Sequence, residues 1–452
     1  MKKLGSILKN KEIMTRILFT ILILFIFRIG AQITVPGATI NQEKLGTYLD
    51  GNNALSLMNI LGGGTLQTFS IFALGVSPYI TAQIIVELLA TDVLPALTEL
   101  RKQGQYGRKK MEYATRYLTL MLGAVQAYGI IKTMETSELV SFEAGQYAWL
   151  TYIYVVIVML AGSMIVMWLG DQISVKGIGN GISMIIFAGI VSSLPSQVST
   201  AFTLWVTETR GMGDSAQIRG TFQFLLYMLS FLAIVSFVTF IELSKRKIPV
   251  QHSGKGGGQT QSMAKASFLP IKINSAGVIP VIFASSIMMA PSVVASFLGA
   301  DTNAEWLNVF NYSKMTQMGD NFAMPWGLII YLVLTIAFTF FYANIQINPQ
   351  QLAENFQKNG SYIPGIRPGN ETERYVRKVL NRVTFIGALA LAIIAALPAV
   401  LTLTIFKDYS QLALGGTGLI IVVGVALELN NQIDGLLAGK SFDEVVAGGG
   451  QN

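Results

Sequence analysis

The chain contains no cysteine. Disulfides, thiol nucleophiles and zinc–thiolate sites are therefore excluded. Its one histidine is His252, which argues against a Ser/His/Asp triad and against any multi-histidine metal site. Charged residues make up only 13% of the chain, against about 25% in soluble domains. There is no G-x-x-x-x-G-K-[ST] phosphate loop, no H-E-x-x-H helix and no paired-aspartate motif, so neither a nucleotide cradle nor a hydrolytic site is in view. Asp171 follows Gly170 but lacks the upstream glycine of intramembrane aspartyl proteases, and reads as an interfacial charge. No catalytic residue, cofactor or metal is expected.

What is present is apolar surface. Of 452 residues 52% are hydrophobic, and the mean hydropathy is +0.52. One buried core cannot absorb that excess, whereas a bilayer can. A spanning helix needs about 20 mainly apolar residues. Ten stretches qualify: Ile17–Val35, Phe69–Leu89, Tyr113–Ile131, Trp149–Leu169, Ile178–Leu194, Phe222–Leu243, Ala276–Phe297, Trp326–Ile345, Val383–Leu403 and Leu412–Leu429. They lack the short alternating pattern of membrane β-strands. The first follows the basic segment MKKLGSILKNKEIMTR, is of spanning length and has no A-x-A site after it, so it reads as a retained helix rather than a cleaved signal.

Placing the N-terminus inside puts 25 Lys and Arg residues in cytosolic segments and 6 in outer loops, with Arg28 within the first span. That asymmetry follows the positive-inside rule. Ten spans divide into five and five, and an odd number per half makes the halves run in opposite orientations, as in inverted-repeat channels and carriers. No residue-level repeat is evident. The halves are expected at 1–200 and 201–430, with a cytosolic tail at 431–452.

Several features have ordinary readings. The cluster GIGNGIS at Gly177–Ser183 resembles a nucleotide fingerprint, but it lies between two spans and reads as close packing where a helix begins. The triple glycines Gly62–Gly64 and Gly256–Gly258 read as flexible loop elements. Arg28 is expected to snorkel from the outer half of its span. Glu87 and Glu428 sit near span ends and read as interfacial charges, though a midplane carboxylate would be costly, which singles out Glu87. The outer segment Leu55–Thr68, LSLMNILGGGTLQT, is too short to span and too apolar for a free loop. It reads either as a surface turn or as a re-entrant segment shielded by protein. The basic loops Ser244–Lys272 and Gln346–Arg382 suit anionic lipid headgroups, acidic protein or nucleic acid, or serve topology alone.

Six stretches in order resemble the SecY family, the central subunit of the bacterial Sec protein translocase: FRIG (Phe27–Gly30), SIFALGVSPYITAQII (Ser70–Ile85), GIGNGISMIIFAGI (Gly177–Ile190), KINSAGVIPVIFASSI (Lys272–Ile287), YIPGIRPG (Tyr362–Gly369) and GGTGLIIVV (Gly415–Val423). The resemblance implies an all-α integral membrane fold of ten transmembrane helices, in two inverted five-helix halves around a central hourglass pore. It implies a pore ring of Ile80, Ile84, Ile186, Ile282 and Ile421, with Ile182 beside it. It implies a plug at about 55–68, including Leu57, Ile60, Leu61 and Leu66. It also implies a lateral gate along the second and seventh spans, with Glu87, Ser285 and Ser286, and a cytosolic partner contact at Arg367 and Lys255. Implied partners are SecE-like and SecG-like subunits, the SecA motor ATPase, the translating ribosome, signal peptides and nascent polypeptides, and membrane lipid. The sequence departs from the family at two places. HSGKGGGQTQSMAK carries glycine and glutamine where many members have paired arginines, and Glu87 replaces a usual glutamine. A buried carboxylate there would make gating depend on pH. The implied function is a protein-conducting channel of the bacterial cytoplasmic membrane, with a small-solute secondary transporter as the alternative and a scaffold or insertase without a pore as a third reading.

Overall fold

The computed structural model describes residues 10–41, 44–45, 55, 58–59, 62–91, 94–142, 148–207, 214–252, 267–297, 305–310, 316–317, 323–404 and 416–448. Each of the ten expected spans meets a helix. They are α1 (Lys11–Gly30), α2 (Ser77–Leu89), α3 (Gln105–Thr136), α4 (Ala148–Lys176) and α5 (Gly181–Phe202), then α6 (Asp214–Leu243), α7 (Ile279–Phe297), α8 (Trp326–Gln346), α9 (Asn370–Thr404) and α10 (Gly416–Gly448). Seven are long and apolar enough to cross a membrane; the apolar helices Ser77–Leu89 and Ile279–Ser292 are shorter. The third span reaches eight residues further towards its N-terminus than the apolar run, into the polar stretch QYGRKKME.

The second span corrects the expectation of a helix from Phe69. Helix begins only at Ser77, and 13 residues rise about 20 Å, short of a hydrocarbon core of about 30 Å. The cause is local. Phe69 and Gly75 both take positive φ, +41° and +54°, which no helix accommodates, and Pro78 near the new helix start lacks the N–H that a helix interior would need. The irregular backbone ahead of it is satisfied by protein instead: Val35 N–H donates to the Phe69 carbonyl and Ile71 N–H to the Ile33 carbonyl. Thr65, Leu66, Phe69 and Ser70 are fully buried. Non-helical backbone at membrane depth is tolerated under such shielding.

Contacts between the first five long helices and the last five run mainly along two seams. In one, α7 lies against α2 and α3; in the other, α5 lies against α10. Beyond the helices, β1 (Ala38–Ile40) pairs with β2 (Val140–Phe142), tying the connection after α1 to the one after α3.

The two long basic connections also fold together. Strand β3 (Lys245–His252) pairs antiparallel with β4 (Ser267–Lys272) on one side and with β7 (Ser361–Tyr362) on the other. Between them in the chain, β5 (Thr316–Gln317) pairs with β6 (Ala323–Met324). Ile248 and Ile271 of the three-stranded sheet share a small core with Ile363 and with Val376, Leu380 and Val383 of α9. That core explains why α9 starts at Asn370, thirteen residues before the apolar run. The short helix Pro349–Lys358 is capped by Asn348, whose Oδ1 accepts from the Gln350 and Gln351 amides.

Candidate functional site

The five isoleucines assigned to the pore ring come from α2, α5, α7 and α10, the helices that meet across the two seams. Ile80, Ile84, Ile186 and Ile421 are buried in one apolar cluster, and Ile282 and Ile182 are partly buried against the same cluster. Helix α5 is aimed by its start. Asn180 Oδ1 accepts from the Ile182 and Ser183 amides, an N-cap worth about 1 kcal/mol. A Cβ on Gly181 would stand 1.8 Å from the Gly170 carbonyl oxygen, so only glycine lets α4 and α5 meet there. The GIGNGIS cluster is thus close packing at a helix start.

Of the gate residues, Ser285 is buried, with its Oγ donating to the Ile282 carbonyl, and Ser286 is half-buried. Glu87 is not free at an interface. Its Oε1 accepts from Gln83 Nε2 at 3.1 Å, and its Oε2 is buried without a hydrogen-bond partner. Glu428 is exposed, as an interfacial charge should be. Asp171 accepts from Arg116 at 2.8 Å, an ion pair that ties α4 to α3.

Of the plug residues, Leu66 is fully buried, in a second apolar cluster with Met58, Phe69 and Met289 of α7. Leu57, Ile60 and Leu61 lie outside the described residues, as does Lys255. Arg367 is exposed on a turn between Gly365 and Gly369, both at positive φ. Its carbonyl accepts from Thr372 Oγ1, which ties the turn to the start of α9.

Gly62 and Gly63 of segment 55–68 are packed closely and are not flexible spacers. A Cβ on Gly75 would stand 2.6 Å from the Gly62 Cα, and a Cβ on Gly189 of α5 would stand 2.4 Å from the Gly63 Cα. Gly256–Gly258 lie outside the described residues. Nor does Arg28 snorkel: its Nη1 donates to the Gly63 carbonyl at 2.7 Å.

A repeat that the sequence reading missed becomes visible once the helix starts are known. Gly75-Val76-Ser77-Pro78-Tyr79-Ile80 and Gly277-Val278-Ile279-Pro280-Val281-Ile282 share the pattern G-V-x-P-x-I. Both glycines take positive φ, +54° and +65°. Both glycine carbonyls accept a side-chain donor, from Ser163 Oγ and Asn274 Nδ2 respectively. Helix begins at the third residue in each case. On the facing helices, Gly189 and Gly424 each stand three residues after Ile186 and Ile421. The signal is only six residues long, which is why hydropathy alone passes over it.

Comparisons with known proteins agree with this geometry. Residues 70–430 match the SecY family. The chain is similar to the protein translocase subunit SecY of Mycoplasma capricolum, 41% identical over 449 residues, 98% of this chain and 91% of that one. It has the fold of a solved structure described as a protein conducting channel, with TM-score 0.63 at 18% identity over 94% of this chain and 92% of that one. It likewise resembles a structure in which the plug domain of SecY is described as stabilising the closed state of the translocation channel and maintaining a membrane seal, with TM-score 0.62 at 17% identity over 94% and 92% of the two chains. This chain belongs to the SecY family of protein translocase subunits.

Proposed function

We propose that the chain passes unfolded secretory polypeptides across the bacterial cytoplasmic membrane and releases apolar segments sideways into it, with both termini cytosolic. The observation that supports this reading is that Ile80, Ile84, Ile186 and Ile421 are buried in one apolar cluster with Ile282 packed against it, on four helices drawn from both of the proposed halves 1–200 and 201–430. A narrow apolar collar dewets and blocks ions. Branched side chains without hydrogen-bonding groups can yield around any passing sequence. The buried described part of segment 55–68 serves as the plug on one side of that collar. The seam of α7 against α2 and α3, where Glu87, Ser285 and Ser286 lie, serves as the lateral gate.

The two short apolar helices occupy the second position in each half. Paired short segments of this kind mark the working path in inverted-repeat membrane proteins. No phosphate loop is encoded, so the driving force comes from partners: the SecA motor ATPase or the translating ribosome, docking at the basic connections whose sequences carry Arg367 and Lys255. SecE-like and SecG-like subunits and membrane lipid cover the outer helices, and signal peptides enter at the gate. A small-solute carrier would need a specific polar site between the halves. Reconstitution with the motor and a secretory precursor tests the reading: the precursor should become protected from external protease in an ATP-dependent way, and failure to protect it, with small solutes passing instead, would overturn it.

A further inference from the structure

The motif FRIG takes no part in the collar or the gate, yet its side chains converge on one residue of the plug. Arg28 Nη1 donates to the Gly63 carbonyl at 2.7 Å. Among the described residues no carboxylate lies within ion-pairing distance of Arg28. Phe27 is fully buried and stacked on Phe72, with centroids 5.9 Å apart and planes 7° from parallel. Its ring edge would be 3.5 Å from a Cβ on Gly63. Gly30 leaves room for Phe72, since a Cβ there would be 2.2 Å from that ring. Helix α5 presents Gly189 to the same residue, and a Cβ there would be 2.4 Å from the Gly63 Cα and 3.0 Å from its nitrogen. Gly63 itself sits at φ +78°, a conformation that disfavours any side chain.

We infer that Gly63 is the seated point of the plug, clamped between the Arg28 guanidinium on its carbonyl and a bare glycine notch at Gly189. Arg28 and Gly189 are positioning residues for the closed state. The inference rests on the plug reading proposed above and adds what holds the plug down. Arg28 donates here to a neutral carbonyl, so the bond can break without separating an ion pair. Away from water, however, breaking it would strand a guanidinium and a carbonyl together, which is costly. The clamp is partly buried and therefore releases more readily as water enters around it. Loss of one charge-assisted hydrogen bond should shift the closed-to-open ratio on the order of tenfold to a hundredfold.

The absence of cysteine allows a clean test. A single Leu66→Cys reporter, buried in the closed channel, is exposed to a membrane-impermeant maleimide from the outer side. Labelling is measured at rest and with a precursor lodged in the channel. Arg28→Met keeps an apolar stem and removes the donors. Gly189→Ala sits in a helix, where alanine is favoured over glycine, so its effect is on the seat and not on the helix. Both should raise resting labelling tenfold or more and raise ion conductance in step, and Arg28→Lys, which keeps a cationic donor, should restore part of the loss. Resting labelling at the wild-type rate in both Arg28→Met and Gly189→Ala would overturn the clamp. If the lodged precursor leaves labelling of the otherwise wild-type chain unchanged, the plug reading itself fails. Should Arg28→Met not fold, Gly189→Ala decides alone.

Discussion

The proposed collar can be tested at Ile186, which is 2% exposed and lies in the cluster shared by α2, α5, α7 and α10. Ile186→Asn removes a buried branched side chain, about 1.5–3 kcal/mol of burial. It leaves an amide with no partner in apolar surroundings, at a further cost of about 1–3 kcal/mol. Both losses fall on the closed state, because in a hydrated open pore water meets the amide and the isoleucine has nothing to bury against. The closed state therefore loses about 2.5–6 kcal/mol relative to the open one. At 1.4 kcal/mol per factor of ten, resting open probability should rise by about two to four orders of magnitude. Ile186→Leu conserves volume and should cost less than about 1.5 kcal/mol, so its leak should change by no more than about tenfold. Ile157→Asn places the same amide on the exposed face of α4, away from both seams, and should not leak. The assay is single-channel conductance in planar bilayers, with thermal midpoints in detergent confirming that each variant is folded. A folded Ile186→Asn channel no leakier than Ile186→Leu or Ile157→Asn would refute the reasoning.

Substitutions at four further positions separate packing from gating. Gly181→Ala drives a Cβ to 1.8 Å from a backbone oxygen that cannot yield, so it should destabilise the folded chain by roughly 1–3 kcal/mol or more. Gly435→Ala, in a helix with nothing within 4 Å, should stabilise it by roughly 0.5–1 kcal/mol; thermal unfolding in detergent reads both, and equal shifts would remove the packing argument. Asn180→Ala should cost about 1 kcal/mol through the lost cap on α5, seen as a lower thermal midpoint, and Asn180→Asp should recover most of it. Glu87→Gln replaces a carboxylate whose Oε2 is buried without a partner. Signal-sequence selectivity of the wild type should depend on pH and become flat in Glu87→Gln, and a wild type already flat would end the idea.

The ten helices are legible because a bilayer demands long apolar runs, and the sequence spaces them clearly. Their ends are less so, because ends are decided by packing. Helix α9 runs on into NETERYVRKVLNR because Val376, Leu380 and Val383 recur on one face and find Ile248, Ile271 and Ile363 to cover them. The sheet carrying those isoleucines was missed because its connections read as basic loops. Yet Ile248 and Val250 are buried while Lys247 and Pro249 are exposed, and such period-two burial marks a half-buried strand. Arg28 was misread for a different reason. An arginine near a span end ordinarily reaches water, and its acceptor here is a backbone carbonyl 35 residues away that carries no side-chain signature. Close glycine contacts share that silence: Gly63 and Gly189 attract no notice singly, and their meeting depends on the irregular path of the chain before α2.

That irregular path also explains how a collar can form from helices that begin at opposite ends of the membrane in the orientation proposed above. In α2 and α7 a left-handed glycine, a valine and a proline fix where helix starts, and the isoleucine stands fourth in each helix. Four residues rise about 6 Å, so Ile80 and Ile282 lie at equal depth below two like breaks. The second break is held directly by the facing helix, where Gly424 of α10 takes Val278, whose Cγ2 would be 2.4 Å from a Cβ there; the first is held through the chain ahead of it, since Gly75 packs on Gly62 and Gly189 of α5 takes the neighbouring Gly63. Because Ile186 and Ile421 precede those glycines by three residues, close to one helical turn, the contact that holds each break also sets the height of the facing isoleucine. The level of the proposed collar is thus set from both halves by close contacts at a glycine one turn beyond the isoleucine. Its closure depends on shielding two stretches of non-helical backbone and not only on the helices, which is why hydropathy locates the spans while leaving the constriction unseen.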